Sequence, residues 1–271
     1  MAESSLLDRL TPGDHVCLIF DDEPLRTRSV AAYIRAGLRD HHRILYYGPG
    51  GDRVEEELTT QGIDVRPALD RGQLRFGGEY LRGGVFDPEA TFASWQAEIR
   101  ETAAAGYRGM RAVGDMSWAR NQGKQLFRYE ARVNRIFAEG FAMGVCLYDR
   151  RLFSEDRLRR VTGTHPTTVT AASDPRLVPL LRAVRTTDPP GIRLEGEADL
   201  SNREALREIF EHLAEESVPT LTVDVSGLRF ADSASVRILL MLADGRHRVV
   251  LQGCSGALRR LLAFHGADHL L

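Results

Sequence analysis

The chain has 271 residues, 43% hydrophobic and 27% charged, with a formal net charge of −2. That length accommodates two domains, the composition is that of a soluble globular protein, and the charge gives no electrostatic case for nucleic-acid binding. No apolar run approaches the roughly 18 residues of a membrane span, and Met1-Ala2-Glu3-Ser4-Ser5 lacks a signal peptide's basic start and apolar core, so a cytoplasmic location without membrane contact is expected.

His15–Phe20 reads as a near-continuous apolar strand, and a helix over 24–40 follows with Pro24 in its first turn. The strand 43–47 ends in Gly48-Pro49-Gly50-Gly51, before a helix over 52–61 and a short strand over 74–76. Asp87-Pro88 opens a long helix to 105, with Phe92, Trp95 and Ile99 among its apolar positions. The strand 110–115 ends in Asp115, and a helix over 122–139 and a strand over 142–149 complete the region. Apolar strands alternating with helices predict a mainly parallel sheet covered on both faces. Residues 173–191, with Pro175, Pro179, Pro189 and Pro190, read as a short helix plus linker. An alternating strand then closes in Gly196-Glu197-Ala198-Asp199, and Ser201 with Glu204 predicts a capping box before a helix over 203–216. The stretch 224–235 reads as a buried strand running into a polar turn. The apolar Val236, Ile238, Leu239, Leu240 and Leu242 continue it as a helix. A strand over 248–251 and a helix capped by Ser255 follow. Cys17, Cys146 and Cys254 are an odd set without paired spacing, so free thiols are expected.

Asp232 and Ser233 stand at a helix start, where free backbone N–H groups need an acceptor. A phosphate on the serine would meet the positive end of the helix dipole; the pair also reads as an ordinary N-cap. His15 and Cys17 lie two apart on a strand and share one face, a usable geometry for a metal or haem iron, and Cys146 can join from an adjacent strand. Core packing accounts for both cysteines equally simply. Asp115 and Trp118 follow a strand's C-terminal end, where open α/β sheets bind ligands, and Tyr47, Tyr148 and Asp149 reach the same rim. Helix-to-sheet packing is the other account of Tyr47 and Trp118. His41-His42 reads as a helix-end cap, and His165 before Pro166 is assigned no chemistry. ATP is not expected. Asp21-Asp22-Glu23 follow the first strand where a phosphate loop needs glycines and a lysine, and Gly123-Lys124-Gln125 lacks the rest of that motif. Ser233 has no histidine nearby in sequence and no catalytic triad stands out, so the chain is not expected to be an enzyme.

His15-Val16-Cys17-Leu18, Tyr46-Tyr47-Gly48, Gly114-Asp115-Met116-Ser117-Trp118, Cys146-Leu147-Tyr148-Asp149 and His165-Pro166, in that order, resemble the MEDS domain. That is the methanogen/methylotroph sensory domain, a degenerate relative of RecA/KaiC-type ATPases, and the resemblance runs over residues 10–169. It implies a sensor of small molecules. Over residues 191–271 the order strand, Gly-Glu-x-Asp, helix, strand, Asp-Ser, helix, strand, helix resembles the STAS domain of anti-sigma factor antagonists. This second resemblance implies phosphorylation of Ser233 by a partner kinase and a partner-binding surface at Asp199, Asp232 and Ser233. Two positions depart from that family: Ser235 stands where it usually has glycine, and Ala234 where it usually has Ser or Thr.

The expectation is an α/β protein with a MEDS-like sensory domain at 1–172, a linker at 173–190 and a STAS domain at 191–271. Its first module is a degenerate RecA/KaiC-like, mainly parallel sheet with helices on both faces; its second is small and α/β. The expected role is a non-enzymatic signalling regulator. It binds an anti-sigma factor with serine kinase activity, acts on transcription in a stress response, and leaves homodimer formation open. The candidate ligand-holding residues are His15, Cys17, Tyr47, Asp115, Trp118 and Tyr148, with His15 and Cys17 the candidates for a metal. The alternative is a sensor of a small ligand, haem or nucleotide whose STAS domain serves only assembly.

Overall fold

The computed structural model describes residues 6–77, 86–170, 173, 180–243 and 247–270. Strands β1 (His15–Phe20), β2 (Arg43–Tyr47), β3 (Leu74–Gly77), β4 (Met110–Asp115), β5 (Ala142–Asp149) and β6 (Thr167–Thr170) form one sheet in the order β3-β2-β4-β5-β1-β6. Every neighbouring pair in it is parallel. Helices α1 (Glu23–Arg39), α2 (Gly51–Thr60), α3 (Arg66–Asp70), α4 (Pro88–Ala104), α5 (Lys124–Ala138) and α6 (Glu155–Gly163) run between the strands. β1, β4 and β5 are buried along their whole length, as parallel strands covered on both faces must be, and their sequences are correspondingly apolar. This is the predicted mainly parallel architecture.

The second sheet contains β7 (Arg182–Thr187), β8 (Pro190–Ala198), β9 (Thr220–Ala231) and β10 (Arg248–Gln252) in the order β10-β9-β8-β7. Only β7 is antiparallel to its neighbour. Helices α7 (Arg203–Leu213), α8 (Ser233–Ala243) and α9 (Gly256–Phe264) complete this module.

Two local readings are corrected. The stretch 173–190 is not all linker: Thr187 pairs with Pro190 across Asp188-Pro189, and the resulting hairpin buries Leu181 and Ala183 in the second core. Pro189 and Pro190 stand at the hairpin's turn, a position that asks nothing of a backbone N–H. The helix expected around Pro175 and Pro179 lies outside the described residues. Second, Ser201 and Glu204 do not make a capping box. Asn202 is the N-cap of α7 without a side-chain cap bond, its amide being spent on Asp199 N (3.1 Å) and Glu197 O (2.9 Å). Thr167–Thr170 adds a strand beside β1 at the edge of the first sheet.

The two modules pack directly on each other. Ala138, at the end of α5, belongs to the second module's core. Arg182 grips the buried Asp14 with two bonds, Nε to Oδ1 at 2.7 Å and Nη2 to Oδ2 at 2.8 Å. Arg135 on α5 pairs with Glu208 (3.2 Å) and Glu215 (3.0 Å). Among the described residues, no helix is long and apolar enough to cross a membrane.

Candidate functional site

The first module carries a polar cluster inside its core. His15 opens β1, and Gly144 stands opposite it on β5. A Cβ at Gly144 would come within 2.5 Å of the Phe137 ring, so glycine there lets Phe137 stack on His15 at 4.6 Å between centroids. Cys146, two residues further along β5, points to the same side, with Sγ 3.4 Å from His15 Nε2. Helix α5 presents Leu126, Glu130, Val133, Asn134 and Phe137 to the sheet at helical spacing. Two of these five are polar, and both reach the cluster.

Asn134 is fixed by three backbone carbonyls, its Nδ2 donating to Glu130 O (3.2 Å), Ala131 O (2.8 Å) and Thr164 O (2.8 Å). Its Oδ1 therefore faces His15 Nδ1 at 2.9 Å and accepts from it, which leaves the lone pair of His15 on Nε2. His165 repeats the arrangement. Its Nδ1 donates to Val161 O at 2.9 Å, and its Nε2 has no hydrogen-bond partner although the side chain is fully buried. Both free imidazole nitrogens face Glu130 Oε2, at 3.9 Å from His15 and 3.5 Å from His165. Cys146 Sγ lies 3.7 Å from the same oxygen, and Tyr148 donates to Oε1 at 2.8 Å.

Burial dominates the protonation of this group. It pushes Glu130 up to about 7 against the hydrogen bonds from Tyr148 and Cys146, and it pushes His165 down to about 4. It lowers His15 well below its ordinary value, with His165 adding to the effect, and raises the Cys146 thiol and the Tyr148 phenol.

The six candidate ligand residues go to different places. His15 and Tyr148 join the cluster. Cys17 is fully buried in the same apolar core as Cys146 and Tyr148, but its sulfur is not among the ligand atoms that converge with Glu130; Cys146, not Cys17, stands beside His15 Nε2. Cys17 stands opposite Cys146 in the β1–β5 register, and its thiol is raised by burial and by the nearby Glu130 carboxylate. Asp115 sits at the end of β4, 5% exposed. Its Oδ2 pairs with Arg26 Nη2 at 3.1 Å, while Oδ1 accepts from Ser117 N at 2.9 Å. Arg26, from the first turns of α1, is buried and also bonds Tyr46 Oη and Pro49 O. Its Nη1 also lies 3.5 Å from Glu23 Oε2. Tyr47 packs edge-on against Trp95 at 5.6 Å between centroids, and Trp118 lies tilted against Phe86 at 4.9 Å. Sequence reasoning assigned His165 nothing and did not name Glu130, although a glutamate within the apolar stripe Leu126–Val133–Phe137 is itself a signal.

In the second module, β8 and β9 end side by side, with Ala198 opposite Ala231. Asp232 N donates to Ala198 O at 3.0 Å, so Asp199, Asp232 and Ser233 share one edge of the sheet. Asp232 caps α8 by accepting from Ser235 N at 2.7 Å, which frees the Ser233 hydroxyl. Ser233 is exposed, and its Oγ lies 2.6 Å from His265 Nε2, a partner 32 residues away. Asp199 Oδ1 accepts from Ser201 N (2.8 Å) and Ser201 Oγ (2.6 Å). Leu200, Phe230 and Phe264, sequence neighbours of these residues, are 67%, 51% and 82% exposed.

These features define a class: a two-module α/β signalling regulator, with an enclosed polar cluster in one module and an exposed serine at a helix start in the other. The chain belongs to the MEDS family, the MEthanogen/methylotroph, DcmR Sensory domain, whose family model matches residues 14–166; a second model, "Mlab, STAS domain", matches residues 181–271. No curated protein matches it. Among solved structures it is similar to flagellar accessory protein FlaH from Methanocaldococcus jannaschii, at 12% identity over 59% of this chain and 72% of that one, with a TM-score of 0.41.

Proposed function

We propose that this chain is a non-enzymatic regulator in which the MEDS module controls a STAS antagonist surface. The unmodified surface at Asp199, Asp232 and Ser233 binds an anti-sigma factor with serine kinase activity and so frees a sigma factor for transcription. The observation that carries this reading is the placement of Ser233: its hydroxyl is exposed at the start of α8, on the same sheet edge as Asp199 and Asp232. A phosphate there adds roughly −1.5 to −2 charge and three acceptor oxygens beside two carboxylates. It is held by the N-terminus of α8 and repels an acidic partner surface. The exposed Leu200, Phe230 and Phe264 supply the apolar contact such a docking face needs.

The test is the affinity of the full chain for a purified anti-sigma factor of the serine-kinase type. Ser233→Ala keeps the affinity, and Ser233→Asp weakens it by about tenfold or more through like-charge repulsion. Equal affinity of the two variants would contradict the switch.

A further inference from the structure

We infer that His15, Glu130, Cys146 and His165 form a four-ligand site for a divalent transition-metal ion of the zinc type. One ligand atom from each lies within 4.8 Å of all the others. The measured separations are 3.4 Å (His15 Nε2 to Cys146 Sγ), 3.5 Å (His165 Nε2 to Glu130 Oε2), 3.7 Å (Cys146 Sγ to Glu130 Oε2) and 3.9 Å (His15 Nε2 to Glu130 Oε2). A tetrahedral ion with bonds of about 2.0 Å to nitrogen and 2.3 Å to sulfur needs ligand atoms about 3.3–3.6 Å apart. These four pairs lie within a few tenths of an ångström of that range, and the other two, His165 with His15 and with Cys146, lie within 4.8 Å, so His165 has the furthest to move.

Three further observations point to a cation. The His165 Nε2 lone pair is fully buried and unpartnered, a costly state for a polar atom that a metal bond would relieve. Both imidazoles are already oriented as metal-binding histidines are, each donating its other N–H to a fixed oxygen, Asn134 Oδ1 or Val161 O. The charge also closes: thiolate and carboxylate contribute −2, the imidazoles are neutral, and a dication makes the buried site neutral. Glu130's ion-pair partners among the described residues are these two histidines alone, so no arginine or lysine does that work. The donor set of two nitrogens, one sulfur and one oxygen suits zinc, cobalt or iron(II) and not magnesium or calcium. A cavity of about 20 Å³ beside the cluster, bordered by Trp95 and Phe137, has room for about one water-sized exogenous ligand. On binding, the Cys146 thiol and the Glu130 carboxyl lose their protons to solvent.

The experiment is titration of the metal-free full chain with Co²⁺ under a thiol-free reductant, followed by absorbance. The expected result is saturation at about one Co²⁺ per chain, with the ligand-field bands of a tetrahedral ion, a thiolate-to-cobalt charge-transfer band, and displacement of both by Zn²⁺. Cys146→Ser removes the charge-transfer band and Cys17→Ala keeps it. Asn134→Leu, which keeps all four ligands but removes the oxygen that holds His15 Nδ1–H, weakens binding by about 10–100-fold. Circular dichroism checks that each variant is folded; if one is not, the wild-type titration still decides. Absence of both band sets in the wild-type chain, an octahedral spectrum, or a charge-transfer band lost with Cys17 and kept without Cys146 would overturn the site.

Discussion

Arg26 and Asp115 show how far single residues can be read here. Each is almost fully buried and they pair at 3.1 Å, with the more exposed Glu23 a second partner of Arg26 at 3.5 Å. Removing one partner strands a buried ion, whereas removing both leaves an apolar pair that can repack. Asp115→Leu or Arg26→Met is expected to cost about 3–5 kcal/mol, and the double variant distinctly less than the sum, as measured by urea unfolding. Two similar single costs that simply add would remove the pair from the account. Asp232 and Ser233 divide labour at the start of α8: the aspartate accepts the backbone N–H, while the serine hydroxyl bonds only outward, to His265. Asp232→Ala should therefore cost about 0.5–2 kcal/mol as a lost cap, and Ser233→Ala far less, in the same unfolding experiment.

At the scale of elements, α5 with β1 and β5 forms the unit that matters most. Gly144 is the point where the helix approaches the sheet. Gly144→Ala forces its Cβ into the Phe137 ring, at an expected cost of about 1–3 kcal/mol in thermal or urea unfolding, and moves Phe137 off His15. Much of this unit was legible in the sequence. His15–Phe20 and the strand 142–149 are continuous apolar runs, and buried parallel strands announce themselves that way. Two apolar strands alone do not reveal which is adjacent to which, so Cys17 and Cys146 could not be ranked as partners of His15. Glu130 and Asn134 were hidden because a mostly apolar helix face is read by its majority. His165 was hidden because its partners come from β1 and α5, and His265 because it reaches Ser233 only when α9 folds back across α8. β7 was misread because Pro189 and Pro190, which follow it, stand at the turn of a hairpin, and proline-rich composition is a linker signal only on average.

At the scale of the whole molecule, the contact between modules is charged and rooted beside the cluster. Asp14, which Arg182 grips, precedes His15; Pro166, whose carbonyl takes Asn202 Nδ2 at 3.4 Å, follows His165. Asn202 in turn bonds the backbone of Asp199 on the proposed partner face. A change inside the first module therefore has a short material route to the second, and it acts only by favouring one arrangement over another. The same contact is pH-sensitive. His212 on α7 is raised above its ordinary 6.5, chiefly by Glu139 with Nε2 3.8 Å away and also by Glu215, and Glu139 is lowered below 4.5 chiefly by that pairing. A raised histidine stabilises fully below 6.5 and loses its effect as pH rises through its folded value; a lowered carboxylate stabilises above 4.5 and loses its effect as pH falls through its own. The contact should be tightest between those two values and loosen above 6.5. Hydrogen exchange of α5 and α7 should speed up accordingly, after correction for intrinsic rates, and His212→Gln should flatten that dependence.

The central claim is a STAS face switched at Ser233, and it is tested most directly by phosphorylating the full chain. Purified chain, a serine-kinase anti-sigma factor and ATP are combined, the modified residue is mapped by mass spectrometry, and the complex is followed through the reaction. The account expects one phosphate, on Ser233, with the complex dissociating as it accumulates. No phosphate, or a phosphate on another serine, or a complex that persists with Ser233 fully modified, would contradict it.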